Sequence, residues 1–183
     1  MRLETRTVAL KDGRTCVVRN LEGKDAAAAL EHLRQTAAET PYLLWEPETD
    51  RMMTEEEEEV FLSKSLDAPE QVMLGAFLED RLVAIANIGY NGRRSRVRHR
   101  GNLGISLRKE VWSVGLGTYM MQILIEAAPR MGITQIELEV MEPNKSARGL
   151  YEKLGFQVYG RRPNASRLKT GECMDDLLMV LLL

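Results

Sequence analysis

A chain of 183 residues with 44% apolar content is long enough to bury one good core and too short for two comfortable domains. Its 25 basic and 27 acidic residues nearly cancel, to a net charge of -2, which excludes the broad attraction of a dedicated nucleic-acid or anionic-membrane binder and favours a small-molecule or peptide partner. Cys16 and Cys173 are far apart and only His32 and His99 could join them, so neither a zinc site nor a disulfide framework is suggested.

The opening "MRLETRTVALKDG" places charges where a signal peptide needs an apolar run, and the apolar end "LLMVLLL" is too short to span a bilayer; the cytoplasm is the expected location. "TRTVAL" and "TCVVRN" flank Lys11-Asp12-Gly13, and an Asp-Gly pair between apolar alternations predicts a hairpin. "KDAAAALEHLRQTAAE" predicts a helix with Ala28, Leu30, Leu33 and Ala37 on one face, ended by Pro41. A polar stretch containing Tyr42, Leu44, Trp45 and Glu46 leads to Thr54, which with Glu57 forms a capping box for a second helix. The glutamates Glu55 to Glu59 suit the positive end of that helix, a simpler account than a cation site.

From Gln71 onward the period changes to two. "VMLGAFLED" and "LVAIANIGY" predict strands joined at Glu79-Asp80-Arg81, and Asn91-Gly92 turns the chain toward a third strand ending in "LGISL". That third strand is preceded by "RRSRVRHR". Arg96, Arg98 and Arg100 alternate with Val97 and His99 as the solvent side of a strand would, with no aromatics for bases to stack on. "WSVGLGTYMMQILIEAAPRMG" then predicts a helix in which Met120, Ile123, Leu124 and Ala127 line an apolar stripe before Gly132. Gly115 and Gly117 at its mouth fit two readings: a helix N-terminus that receives a phosphate, or a tight strand-to-helix turn that binds nothing. "TQIELEV" predicts a strand, Pro143-Asn144 a short helix "KSARGLYEKL" closed by Gly155, and "FQVYGR" and "CMDDLLMVLL" a last pair of strands. Asn144 can cap its own helix or hydrogen-bond an amide-bearing ligand arm.

"GISLRKEVWSVGLGTYMM" followed by "LEVMEPNKSARGLYEKLGF" resembles the acetyl-CoA-binding core of the GNAT family of N-acetyltransferases. The family's phosphate-loop pattern, Arg/Gln-x-x-Gly-x-Gly/Ala, falls on Trp112 to Gly117, with Trp112 where Arg or Gln is usual. A second signature, Asn-x-x-Ala-x-x-x-Tyr with a trailing Leu-Gly-Phe, matches at Asn144, Ala147, Tyr151 and Leu154-Gly155-Phe156. The close match covers about a third of the chain, around residues 101–156, while the order of elements agrees over nearly all of it. The resemblance implies one GNAT domain over residues 1–183, an α/β (α+β) fold with a mixed, mostly antiparallel twisted sheet of about seven strands and helices on both faces.

The same resemblance implies an acetyl-CoA-dependent N-acetyltransferase that moves an acetyl group to a primary amine, on a small molecule or a peptide or protein N-terminus, by direct attack. Acetyl-CoA is the cosubstrate; no metal, nucleic acid or membrane is implied, and the chain is expected to be a monomer or homodimer. Ile105, Ser106 and Leu107 are implied to pair with the pantetheine arm as an added strand. Trp112, Ser113, Val114, Gly115, Leu116, Gly117 and Thr118 are implied to give amides to the pyrophosphate, with Arg108 or Lys109 near the adenosine phosphate. Asn144, Ala147 and Tyr151 complete the cofactor-binding set. Tyr151 is the implied general acid; a packed helix aromatic is the alternative. Glu137 and Glu139 share a strand face, and in the branch acetylating ribosomal-protein N-termini the glutamate of Leu-Glu-Val is the base, which maps to Glu139; a water-mediated base is the alternative. Because Trp112 departs from the pattern and Asn102, which cannot take a proton, stands where other branches place a glutamate, a non-catalytic acyl-CoA-binding or sensing module is the rival reading. An RNA-directed acetyltransferase using the arginines is a further one, disfavoured by the charge balance.

Overall fold

The computed structural model describes residues 1–92 and 94–183. The chain starts as the hairpin its Asp-Gly pair requires: β1 (Arg6–Ala9) and β2 (Thr15–Asn20) pair antiparallel with Arg6 opposite Val18. Gly13 takes φ 89°, a left-handed conformation that glycine adopts without a Cβ penalty, and Asp12 accepts hydrogen bonds from the Arg14 backbone and side chain. A 3-10 turn at Gly23–Asp25 leads into α1 (Ala26–Glu39). Its buried residues are Ala26, Ala29, Leu30, His32 and Thr36, so the core face is rotated from the expected one: Ala28, Leu33 and Ala37 are only half-buried. Alanine gives little face contrast, which is why the sequence misplaces the stripe.

The expected capping box opens α2 (Glu55–Asp67): the Thr54 hydroxyl accepts from Glu57 N, and the Glu57 carboxylate accepts from Thr54 N. β3 (Gln71–Leu78) and β4 (Arg81–Tyr90) form a hairpin whose two-residue turn, Glu79 and Asp80, has φ of 48° and 62°, as a strand-matched tight turn demands. β5 is Arg100–Leu107, α3 is Leu116–Ala127, β6 is Gln135–Met141, α4 is Lys145–Lys153, β7 is Gln157–Arg167 and β8 is Cys173–Leu182. The fold is mixed α/β with four α-helices and an eight-stranded sheet among the described residues, rather than about seven strands, in the order β1-β2-β3-β4-β5-β6-β8-β7. β5 and β6 run parallel; the β1–β2, β2–β3, β3–β4, β6–β8 and β7–β8 pairs are antiparallel. Among the described residues no helix is long and apolar enough to cross a membrane.

The expectation of a strand through "RRSRVRHR" is corrected. Arg93 lies outside the described residues, Ser95–Val97 is a 3-10 turn, and β5 begins only at Arg100. Alternating charge suits an exposed turn as well as a strand face, and here Val97 N bonds to Arg94 O in the turn. His99 is exposed, and its carbonyl accepts from Thr134 N and Gln135 N.

The chain divides into two compact units, Met1–Gly89 with Gly104–Leu124, and Tyr90–Leu103 with Ile125–Leu183. In the first, Leu21, Ala26, Ala29, Leu62, Phe77 and Leu82 form a buried cluster. The Arg19 guanidinium lies 4.0 Å from the Phe77 ring centre and bonds Asp25 at 2.7 and 2.8 Å, so a buried carboxylate is paired rather than stranded. In the second, β6 pairs with β8 along its whole length, and β7 pairs with β8 across two register shifts, between Val158 and Gly160 and between Arg162 and Ser166. Pro163 and Asn164, the latter with φ 50°, fall in the second shift.

Candidate active site

In the first unit, Ile105, Ser106 and Leu107 end β5 half-buried. A 3-10 turn, Lys109–Val111, follows, and the Trp112 indole N–H reaches back to the Leu107 carbonyl at 2.9 Å. Trp112 therefore clips the loop shut on the strand end. Ser113 and Gly115 take φ of 62° and 92°, and the first i to i-4 bond of α3 runs from Tyr119 N to Gly115 O. The N–H groups of Leu116, Gly117 and Thr118 precede that bond and have no helical partner, the arrangement in which a helix start receives an anion. Gly117 has no positive φ, so only Gly115 is required by backbone conformation.

Two features of this loop carry no local sequence signal. Lys11, from the β1–β2 turn, donates its backbone N–H to Val114 O at 3.1 Å, and its side-chain methylenes pass 3.5 to 3.9 Å from where a Gly115 Cβ would stand. Arg14 likewise reaches the Glu110 carbonyl at 2.7 Å. The hairpin thus braces the glycine loop across about a hundred residues of sequence. Arg108, expected near a phosphate, is instead 8% exposed, and its Nη2 bonds Glu31 at 3.0 Å. Lys109 is exposed, and its backbone N–H is taken by Glu39 at 2.6 Å. Ser106 Oγ lies 2.9 Å from His32 Nε2; His32 is 1% exposed, and burial, with Arg108 nearby, pushes its pKa down to about 4. Leu44, in the polar stretch before α2, is exposed at 73%.

In the second unit, Asn144 caps α4: its Oδ1 accepts from Ala147 N at 3.2 Å. Tyr151, on the same helix, is 7% exposed, packs against Phe156 with ring centres 6.1 Å apart, and has its pKa pushed up by burial to about 12. Its hydroxyl makes no hydrogen bond within the described residues. The two glutamates of β6 have different environments. Glu137 is buried and accepts from Arg100 at 2.5 and 2.6 Å, Asn91 at 2.7 Å and Gln135 at 2.6 Å, and the Arg100 bonds hold its pKa below the usual carboxylate range. Glu139 is 43% exposed, yet both its oxygens are taken by Arg162 of β7 at 2.6 Å. Arg162 stands opposite Asp176 of β8, a carboxylate that sequence reading passed over as one of two adjacent acids in an apolar strand.

The profile of the Acetyltransferase (GNAT) family matches residues 28–156. L-methionine sulfoximine/L-methionine sulfone acetyltransferase of Pseudomonas aeruginosa is 30% identical over 92 residues, 50% of this chain and 51% of that protein; the chain thus spans about half the length of the curated relatives it matches. A GNAT-family acetyltransferase of Streptococcus pneumoniae superposes with a TM-score of 0.86 at 33% identity, covering 92% of this chain and 99% of that one. yncA of Salmonella typhimurium, whose structure holds its cofactor acetyl-CoA, gives a TM-score of 0.78 at 19% identity, over 91% of this chain and 93% of that one, a likeness of fold. With the profile spanning the glycine loop, β6 and the Asn144 helix alike, the chain belongs to the GNAT acetyltransferase family.

Proposed function

We propose that this chain transfers the acetyl group of acetyl-CoA to a primary amine by direct attack. The observation that carries the reading is the start of α3, where Ser113 and Gly115 turn the chain so that the amides of Leu116, Gly117 and Thr118 are left without helical partners. The pyrophosphate binds these amides, with Trp112, Ser113 and Val114 shaping the loop. The backbone groups of Ile105, Ser106 and Leu107 pair with the pantetheine arm, the Leu107 carbonyl sharing its acceptor with the Trp112 indole. Asn144 and Ala147 open the helix that carries Tyr151. No covalent enzyme intermediate is required: the nitrogen attacks the thioester carbon, the tetrahedral intermediate collapses, and CoA leaves as a thiolate.

Tyr151 serves the leaving thiolate. Its hydroxyl is a donor at every working pH, because burial raises the phenol and holds it in its neutral form. The attacking nitrogen gives up its proton to a carboxylate on the sheet face that carries Glu139. Its acceptors include amino acids related to those named for the Pseudomonas relative. The test is incubation with acetyl-CoA and a panel of amines, L-methionine sulfone, L-methionine sulfoximine and N-terminal peptides among them, with thiol release and product mass as readouts. Acetylated product supports transfer; tight acetyl-CoA binding without product from any amine favours an acyl-CoA sensor instead.

A further inference from the structure

We infer that Asp176 of β8 is the carboxylate that accepts the proton of the attacking amine, with Glu139 serving to hold Arg162 away from it; the inference rests on the transfer reading above. Glu139, Arg162 and Asp176 share one face of the sheet, because Glu139 stands opposite Leu178 and Arg162 opposite Asp176, and directly opposed residues point to the same side. Arg162 gives both arms of its guanidinium to Glu139 at 2.6 Å. That leaves Asp176 at 3.6 Å from Arg162 Nη1, beyond hydrogen-bond range.

Asp176 is 6% exposed, and within the described residues its oxygens accept no hydrogen bond. A carboxylate this deep without a donor is costly as an anion and is stabilised by whatever brings it a proton or an ammonium. The charged groups on its face are Glu139 from β6 and Arg162 from β7, with Asp175 beside it on the opposite face, and burial with the Glu139 charge holds its pKa above the ordinary value. Glu139 has the opposite disposition. Both of its lone-pair faces are occupied, so it takes a proton only after the bidentate pair opens.

The step balances. An acceptor that arrives as an ammonium first loses one proton to water, which exposes its lone pair. As the N–C bond forms, the nitrogen becomes acidic again and its next N–H proton passes to an Asp176 oxygen; the C–S bond breaks, and the departing thiolate takes a proton from solvent or from the phenol, which water then reprotonates. Asp176 then releases its proton to water. The cluster of two carboxylates and one guanidinium carries one net negative charge, which favours an acceptor arriving as an ammonium.

The experiment compares Asp176→Asn and Glu139→Gln in the full chain, with kcat/KM followed against pH on the best amine of the panel and acetyl-CoA affinity measured by calorimetry. Asp176→Asn is expected to keep acetyl-CoA affinity, lose about 10²-fold or more in rate and lose the acidic limb of the profile. Glu139→Gln frees Arg162 to pair with Asp176, lowering its proton affinity, so the acidic limb shifts to lower pH and persists. Retention of that limb in Asp176→Asn, or its loss in Glu139→Gln alone, overturns the assignment. If Asp176→Asn does not fold, carbon-13 NMR of the aspartate carboxyls in the unaltered protein decides: a resonance titrating above ordinary aspartates and moving when amine is added supports the role, and its absence refutes it. A wild-type protein that acetylates no amine removes the transfer reading itself, a result separate from an active enzyme indifferent to Asp176.

Discussion

Burial acts on Tyr151 and His32 in opposite directions, because each is driven toward its neutral form. For Tyr151 the neutral form is the proton donor. Since its hydroxyl bonds nothing in the described protein, Tyr151→Phe should keep the melting temperature and acetyl-CoA affinity while losing about 10² to 10⁴ in rate. Calorimetry and turnover on one preparation check this, and near wild-type turnover would reduce Tyr151 to a packing residue. For His32 the neutral form is the stable one in the fold. The unfolded chain protonates near 6.5 and the folded chain only near 4, so between those values the unfolded state binds more protons. Stability is therefore fully present above pH 6.5 and declines as pH falls toward 4, by about 3 kcal/mol from this one group. Urea titrations at pH 7 and pH 4.5 should show the loss in wild type and a flatter response in His32→Gln, which carries no titrating ring opposite Ser106.

Glycine positions separate the roles of two elements. At Gly115, φ 92° is closed to side chains at low cost, and Gly115→Val should strain the loop by about 1 to 3 kcal/mol and weaken acetyl-CoA binding. Gly117 has no such backbone demand, and since the family's pattern accepts alanine there, the test is Gly117→Val, which should weaken binding by more than about tenfold through crowding of the ligand alone; unchanged calorimetric affinity would remove the phosphate from this site. At Gly101 on β5, an added Cβ would stand 2.9 Å from Ile133 Cδ1, so Gly101→Ala should cost about 1 to 3 kcal/mol in a urea melt without touching the glycine loop. Elements of this kind were readable because their causes are local: Asp12-Gly13 turns the first hairpin, Thr54 and Glu57 cap α2, and Gly132 with φ 79° ends the α3 region. What could not be read depends on residues brought together across the sequence. Nothing near Glu139 announces Arg162, twenty-three residues on, and nothing near Gly115 announces Lys11. The arginine run failed for a different reason: alternation was its only signal, and a 3-10 turn satisfies it equally.

For the molecule as a whole, binding free energy is also folding free energy. Acetyl-CoA at about 100 times its dissociation constant should raise unfolding stability by about 2.7 kcal/mol, and the gain should fall to about 1.4 kcal/mol or less in Gly117→Val at the same concentration. The sheet ends on β1, four residues long, and on β7, which is broken by two register shifts with Pro163 inside one of them. An uninterrupted edge of eleven residues would offer a row of free amides and carbonyls to any neighbouring strand. Here the missing Pro163 donor and the left-handed Asn164 spoil that row halfway, while Arg161 and Arg162 add charge. Concentrated solutions of this protein should accordingly resist the strand-by-strand growth that leads to fibrils, and replacing Pro163 with valine should weaken that protection, read as faster fibril growth by dye binding, leaving the share due to Asn164 and the arginines in place.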